Sequence, residues 1–191
     1  MVTFSLFLLN ACTPALQTED VSTYDTQAEE ELPVGIHTDG VCGHAIGDDI
    51  CDLVLRDQKD ETWRLYDYKG DVIVLDFSAM WCGPCQSAAS TVQEIQDFYS
   101  SEGFSYVTIL IDDPTGDTME LAEVQDWAAT FGIETSPVLQ GSRDLVDSDP
   151  SLGYPISSWP TFVFVDRDLS IFWGIYGYSE EYLKMVIEDM L

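Results

Sequence analysis

Basic residues are scarce in this chain. Seven Lys and Arg stand against 35 Asp and Glu, a formal net charge of -28. A phosphate-tracking surface needs clustered cations, so general nucleic-acid affinity is excluded, and charge-driven docking onto anionic lipid is disfavoured. Long apolar runs are also missing. None approaches the roughly 20 residues of a membrane-crossing helix. There are two histidines and one CxxC, so a zinc site has no second ligand pair at a recognisable spacing. No internal repeat is visible. What remains is 191 residues, 46% hydrophobic and 12% aromatic, which is too apolar for a disordered chain and suits one domain with a sizeable core. The acid excess reads as a soluble, self-repelling surface.

Five cysteines fall into three groups: Cys12 alone, Cys42 with Cys51, and Cys82 with Cys85. The first ends an apolar stretch, Val2 to Ala11, too short to span a bilayer but suited to the apolar segment of a secretion signal. Leu9-Asn10-Ala11-Cys12 resembles the lipobox of bacterial lipoproteins, in which cleavage precedes the cysteine and the cysteine is acylated. The alternative is a buried N-terminal strand with an incidental thiol. Residues 12–33 carry Glu19, Asp20, Asp25, Glu29, Glu30 and Glu31 and no basic residue. They bury too little to offset their ordering entropy and read as a disordered acidic tether. The expected organisation is therefore a signal peptide at 1–11, a tether at 12–33 and one folded domain at 34–191.

Within that domain the periodicity changes repeatedly. Leu53–Leu55 and Thr62–Leu65 predict a short hairpin. Val72–Phe77 is an apolar run of the length expected for a central strand buried on both faces. Helical spacing of Ala88, Val92, Ile95 and Tyr99 predicts one helix from Pro84 to about Ser100. Phe104–Ile111 reads as a second buried strand, and Met119–Phe131 as a helix stopped by Gly132. Thr161–Val165 and Ile171–Tyr176 pair across the turn at Asp166–Asp168, and Glu180–Leu191 closes the chain as an amphipathic helix. Residues 134–158 read as a long loop, and the aromatics from Phe172 to Tyr178 as core packing. This order gives an α/β fold with a mixed central sheet flanked by helices, an N-terminal hairpin and an inserted helix.

Trp81-Cys82-Gly83-Pro84-Cys85 lies where a strand meets a helix. Cys82 falls near the helix cap, where free amides and the helix dipole favour an anion. Such a setting lowers a thiol pKa from about 8.5 toward roughly 3.5–7.5. Cys85 sits one turn on, on the same face, and Pro84 suits a first helical turn. A redox dithiol is the expectation; half a zinc site and an inert disulfide are the alternatives. Cys42 and Cys51 close a short loop around His44, which reads as a structural disulfide, with metal binding through His37 or His44 as the weaker alternative.

The segment Asp76–Cys85 closely resembles the active-site segment of thioredoxins. With Asp67-Tyr68-Lys69-Gly70 and Trp159-Pro160-Thr161-Phe162, the frame from about residue 45 to 191 is similar to the TlpA/ResA-type thiol-disulfide oxidoreductases that work outside the cytoplasm. The resemblance implies a thioredoxin-like fold and a role for each of the site residues. Cys82 is the nucleophile and Cys85 the resolving thiol. Asp76 is a buried acid that exchanges a proton with Cys85. Pro160 is a cis proline packed beside the cysteines, with Trp81, Gly83, Pro84 and Trp159 facing the substrate. No metal, flavin or nucleotide is implied. The implied partners are exported proteins carrying disulfides or dithiols and a membrane electron donor or acceptor for recycling, with membrane contact only through lipid on Cys12. The competing functional reading is a thioredoxin-fold binding or assembly module that handles copper without turnover; a peroxiredoxin-like peroxidase is disfavoured because those lack the CGPC arrangement.

Overall fold

The computed structural model describes residues 34–38 and 40–191; the expected leader at 1–11 and the expected tether at 12–33, Cys12 included, lie outside the described residues. Two long strands form the centre, β4 (Val72–Ala79) and β5 (Phe104–Asp112), and every residue in both is buried. Their predominantly apolar character has the cause expected of parallel strands with both faces covered. They pair in parallel, Val72 opposite Phe104 through Ser78 opposite Leu110. A parallel pair requires a crossover, and helices α1 (Gly83–Ala89) and α2 (Val92–Tyr99) supply it.

The predicted single helix is therefore two. The Ser90 hydroxyl donates to Ser87 O at 2.7 Å and the Thr91 hydroxyl to Ala88 O at 2.9 Å. Side chains that bond the preceding turn compete with the backbone ladder, and the chain restarts its helix at Thr91. Helix α3 (Leu121–Phe131) opens on a reciprocal capping box between Glu120 and Glu123 and ends at Gly132, which has φ 64°. That left-handed conformation is the one a helix-terminating glycine supplies.

After α3 the structure departs from the expected long loop. Val138–Gln140 forms a strand, β6, parallel to β5, and Leu145 and Tyr154 are buried. A three-residue strand between Pro137 and Gly141 offers too short a run for periodicity to register. Strand β7 (Thr161–Val165) runs antiparallel to β4, and β8 (Ile171–Tyr176) antiparallel to β7. At the opposite side, β2 (Asp52–Asp57) pairs with β3 (Thr62–Arg64), with β6, and with β1 (Gly35–His37). The sheet order is β1-β2-β6-β5-β4-β7-β8, with β3 attached to β2. His37 thus lies in a strand. Helix α4 (Glu180–Met190) closes the chain, its first turn capped by the Ser179 hydroxyl.

The sheet separates two cores. Buried residues of all four helices, together with Val72, Val74, Tyr106 and Phe162, form one. Ile73, Leu75, Phe77, Val107 and Ile109 face the other, which is covered by Ile50, Trp63, Leu65, Leu145 and Tyr154 from hairpin and irregular segments. The aromatics of β8 do not join either core as the sequence reading had it. Phe172, Trp173 and Tyr176 are exposed because β8 is the last strand of the sheet, with nothing among the described residues to cover them, whereas Tyr178, just past β8, packs against the helix-side core.

Candidate active site

The two-residue period of β4 divides its side chains strictly. Ile73, Leu75 and Phe77 point to one core, so Asp76 and Ser78 point to the other, the core that contains Cys82 and Cys85. The chain leaves β4 at Ala79, turns so that Cys82 N–H donates to Ala79 O at 3.1 Å, and enters α1 with Cys82 as its N-cap. Gly83 and Pro84 form the first helical positions, where the missing proline amide costs nothing. Cys85 N–H donates to Cys82 Sγ at 3.3 Å. The two cysteines are bonded to each other, with Cα atoms 5.2 Å apart. Cys85 is fully buried and Cys82 retains 5% exposure. The sulfur that can meet another molecule is that of Cys82.

Asp76 is buried and holds two hydroxyl donors. Ser78 Oγ donates to Oδ1 at 2.7 Å and Tyr106 Oη to Oδ2 at 3.1 Å. Loss of water raises its pKa to about 7 against the pull of these two hydrogen bonds, which favour the carboxylate. A carboxyl poised there can take up or release a proton near neutrality. Tyr178 lies in the same layer, its hydroxyl 2.8 Å from Thr91 Oγ1.

Register places Pro160 at the same end of the sheet. Phe77 pairs with Thr161, so Pro160 stands beyond β7 where β4 runs toward Cys82. The Trp159–Pro160 bond is cis, and Pro160 O accepts from Gly177 N–H at 2.8 Å. Trp159 is half-buried and touches both cores. Trp81 is 49% exposed beside Cys82.

Two groups at the site escaped the sequence reading. Trp81 Nε1 donates to Asp112 Oδ2 at 3.2 Å, and Arg143 grips the same buried carboxylate with Nε to Oδ1 at 2.8 Å and Nη2 to Oδ2 at 2.5 Å. The two-donor geometry is the one a guanidinium forms with a carboxylate. It ties the segment after β6 to the residue preceding Cys82. The available signal was the rarity of cations: in a chain with seven, an arginine inside a loop demands a partner. Cys42 and Cys51 are also joined, Cα atoms 4.9 Å apart, but in a different place. Their loop crosses to β8, where Gly47 N–H donates to Ile171 O at 2.8 Å.

Residues 46–172 match the model of the AhpC/TSA family. The chain belongs to that family. Among curated relatives, the thiol-disulfide oxidoreductase ResA of Geobacillus kaustophilus is 27% identical over 124 residues, covering 65% of each chain. ResA of Bacillus anthracis is 22% identical over 146 residues, 74% of this chain and 78% of that one. The chain spans 65% of the length of the Geobacillus relatives it matches. Among solved structures, the thiol:disulfide interchange protein of Chlorobium tepidum TLS aligns with TM-score 0.60 at 19% identity, covering 79% of this chain and 98% of that one. The pneumococcal exposed lipoprotein thioredoxin Etrx1 of Streptococcus pneumoniae aligns with TM-score 0.60 at 25% identity, covering 72% and 98%. The fold is thioredoxin-like, and α3 is the inserted helix.

Proposed function

We propose that the protein is a thiol-disulfide oxidoreductase that exchanges disulfides with exported proteins through Cys82 and Cys85. The observation that carries this reading is the asymmetry of the pair: one sulfur at a helix cap and marginally exposed, the other buried in the core that also receives Asp76. From the reduced protein, the Cys82 thiolate attacks a substrate disulfide. A Cys82–substrate bond forms, and the second substrate sulfur leaves as a thiolate. Cys85, giving its proton to Asp76, then attacks Cys82 Sγ, which closes the internal disulfide and releases the substrate as a dithiol. The reverse sequence oxidises a dithiol by the same steps. Pro160 and Trp159 present backbone to the substrate chain, and Trp81, Gly83 and Pro84 frame the exposed sulfur.

The name of the pneumococcal structure and the apolar leader ending in Cys12 support a working place outside the cytoplasm, on a lipid carried by Cys12, with residues 12–33 as spacer. A membrane donor or acceptor would then recycle the pair. Substitution separates the two sulfurs. Cys82→Ser abolishes exchange with a disulfide substrate, whereas Cys85→Ser accumulates a mixed disulfide visible by intact mass. Normal turnover in Cys85→Ser would refute the two-thiol mechanism.

A further inference from the structure

Cys85 is fully buried, so during exchange its proton has no water to leave to. Asp76 is the base in that core, but it is set back along β4. Ser78 lies on the same face of the strand, two residues and about 6.6 Å nearer the turn into α1. Its neighbour on β5 is Leu110, which belongs to the core that holds both cysteines. On the other side Phe77 pairs with Thr161, and one further step of that register sets Ser78 beside Pro160. Along the strand, Ser78 stands between the acid and the dithiol.

Hydrogen bonding gives that position a use. Ser78 is buried and its Oγ donates to Asp76 Oδ1 at 2.7 Å. The other carboxylate oxygen, Oδ2, accepts from Tyr106 Oη at 3.1 Å. Tyr106 pairs with Val74, on the side of Asp76 away from the cysteines, so it offers no path to them. A hydroxyl donates one hydrogen bond and carries two acceptor lone pairs. Among the described residues nothing donates to Ser78 Oγ. Its accepting side is therefore open in the oxidised protein, where Cys85 is bonded to Cys82 and carries no proton. Reduction gives Cys85 an S–H donor in the same core. A buried hydroxyl that is bonded to the base and has lone pairs to spare has both ends of a proton relay.

We propose that Ser78 is a catalytic residue whose hydroxyl passes the proton between Cys85 Sγ and Asp76 Oδ1. The Cys85 S–H bond breaks and its proton goes to Ser78 Oγ, as the serine proton passes to Asp76 Oδ1. The sulfur electron pair attacks Cys82 Sγ, and the substrate sulfur leaves with the electrons of the bond it loses. Serine ends with one proton, Asp76 becomes a neutral carboxyl, and the negative charge has moved to the departing thiolate. Tyr106 stays on Oδ2 throughout, which reserves Oδ1 for the proton. The new Oδ1–H then donates back to Ser78 Oγ. Run backwards, the same steps return the proton to Cys85.

The relay rests on the dithiol reading, and one assay separates the two. The reduced full chain is mixed by stopped flow with dipyridyl disulfide, a neutral reagent that a net charge of -28 does not repel. The phase of thiopyridone release that Cys85→Ser lacks is the attack by Cys85. Absence of such a phase would remove the dithiol reading and the relay together. Ser78→Ala, close to serine in size, is expected to slow that phase at least about tenfold across pH 6 to 9, with the Cys82 phase unchanged. Ser78→Thr keeps the oxygen and is expected to stay within about threefold of the parent. A serine that only stabilised the carboxylate would behave differently. Its loss would move the onset of the phase to higher pH, and the two rates would converge by pH 9. Thr108 provides the control. It stands level with Asp76 on β5, and its buried hydroxyl has no partner among the described residues, so Thr108→Val is expected to leave the phase unchanged. The relay is overturned by convergence of Ser78→Ala with the parent, by Ser78→Thr no faster than Ser78→Ala, or by Thr108→Val slowing the phase as much as Ser78→Ala.

Discussion

Replacing Asp76 with Asn removes a titrating group from the core while keeping its shape and its ability to bond Ser78 and Tyr106. In the unfolded chain this carboxyl titrates at 3.8, and in the folded protein burial raises it to about 7. Below the lower value both states hold the proton, and its burial costs no charge. As pH rises from there to about 7 the unfolded chain releases the proton and the folded one keeps it, so stability falls with pH and levels off above the folded value. At about 1.4 kcal/mol per pKa unit the full loss is on the order of 4 kcal/mol. Asp76→Asn escapes this loss. The variant is therefore expected to match the parent near pH 4 and to exceed it by about 4 kcal/mol at pH 8, a large fraction of a typical domain's stability. Urea unfolding of both oxidised proteins at pH 4, 6 and 8 measures the difference and cancels the general repulsion of a highly acidic chain. A difference that did not grow with pH would refute the buried, proton-holding carboxyl. The same substitution slows resolution by Cys85 near neutral pH and flattens its pH–rate profile.

Arg143→Ala is expected to free Trp81 from its shared anchor on Asp112, raising acrylamide quenching of Trp81 and weakening substrate capture severalfold with the fold intact; unchanged quenching would show that Asp112 holds Trp81 alone. Joint replacement of Cys42 and Cys51 by Ala opens a loop with sequence separation 9, expected to cost about 2–3 kcal/mol in thermal or urea unfolding without altering exchange at Cys82; a silent replacement would mean the loop is held by its bonds to β8. Expression of the full chain in a bacterial host is expected to yield protein in the membrane fraction with a mass beginning at acylated Cys12, and an unprocessed Met1 terminus would remove the anchor.

Long elements with one clear period were readable in the sequence. Val72–Phe77 and Phe104–Ile111 announced buried strands because parallel pairing between covered faces favours a mostly apolar run. Gly132 announced a helix end, and Cys82, Cys85, Asp76 and Pro160 carried their own motif. What escaped was decided by tertiary context. Ser90 and Thr91 lie in a sound helical pattern, and only their hydroxyl bonds to the previous turn divide it. Strand β6 exists because β5 and β2 offer it edges, not because Val138–Gln140 has any strand signal of its own. The aromatics of β8 resemble core residues by composition; their exposure follows from sheet order, which no local pattern contains. Asp112 carries no signal of its own in the sequence, and its partner Arg143 lies 31 positions later.

The two faces of the sheet solve the burial problem differently, and the difference bears on what each can do. Helices satisfy their own backbone, so the face carrying all four can be packed densely, and there the buried Cys85 and the hydroxyl-bonded Asp76 are held without freedom to wander. Irregular segments cannot satisfy their own amides and carbonyls, and must find partners outside themselves. On the second face the partners are borrowed: Ile50 N–H donates to Leu169 O, Ile171 N–H to Asp48 O and His44 N–H to Pro150 O, with the Cys42–Cys51 bond closing the loop. Chemistry that tolerates no displacement thus lies under the helices, while the loop-covered face is held by bonds from one segment to another.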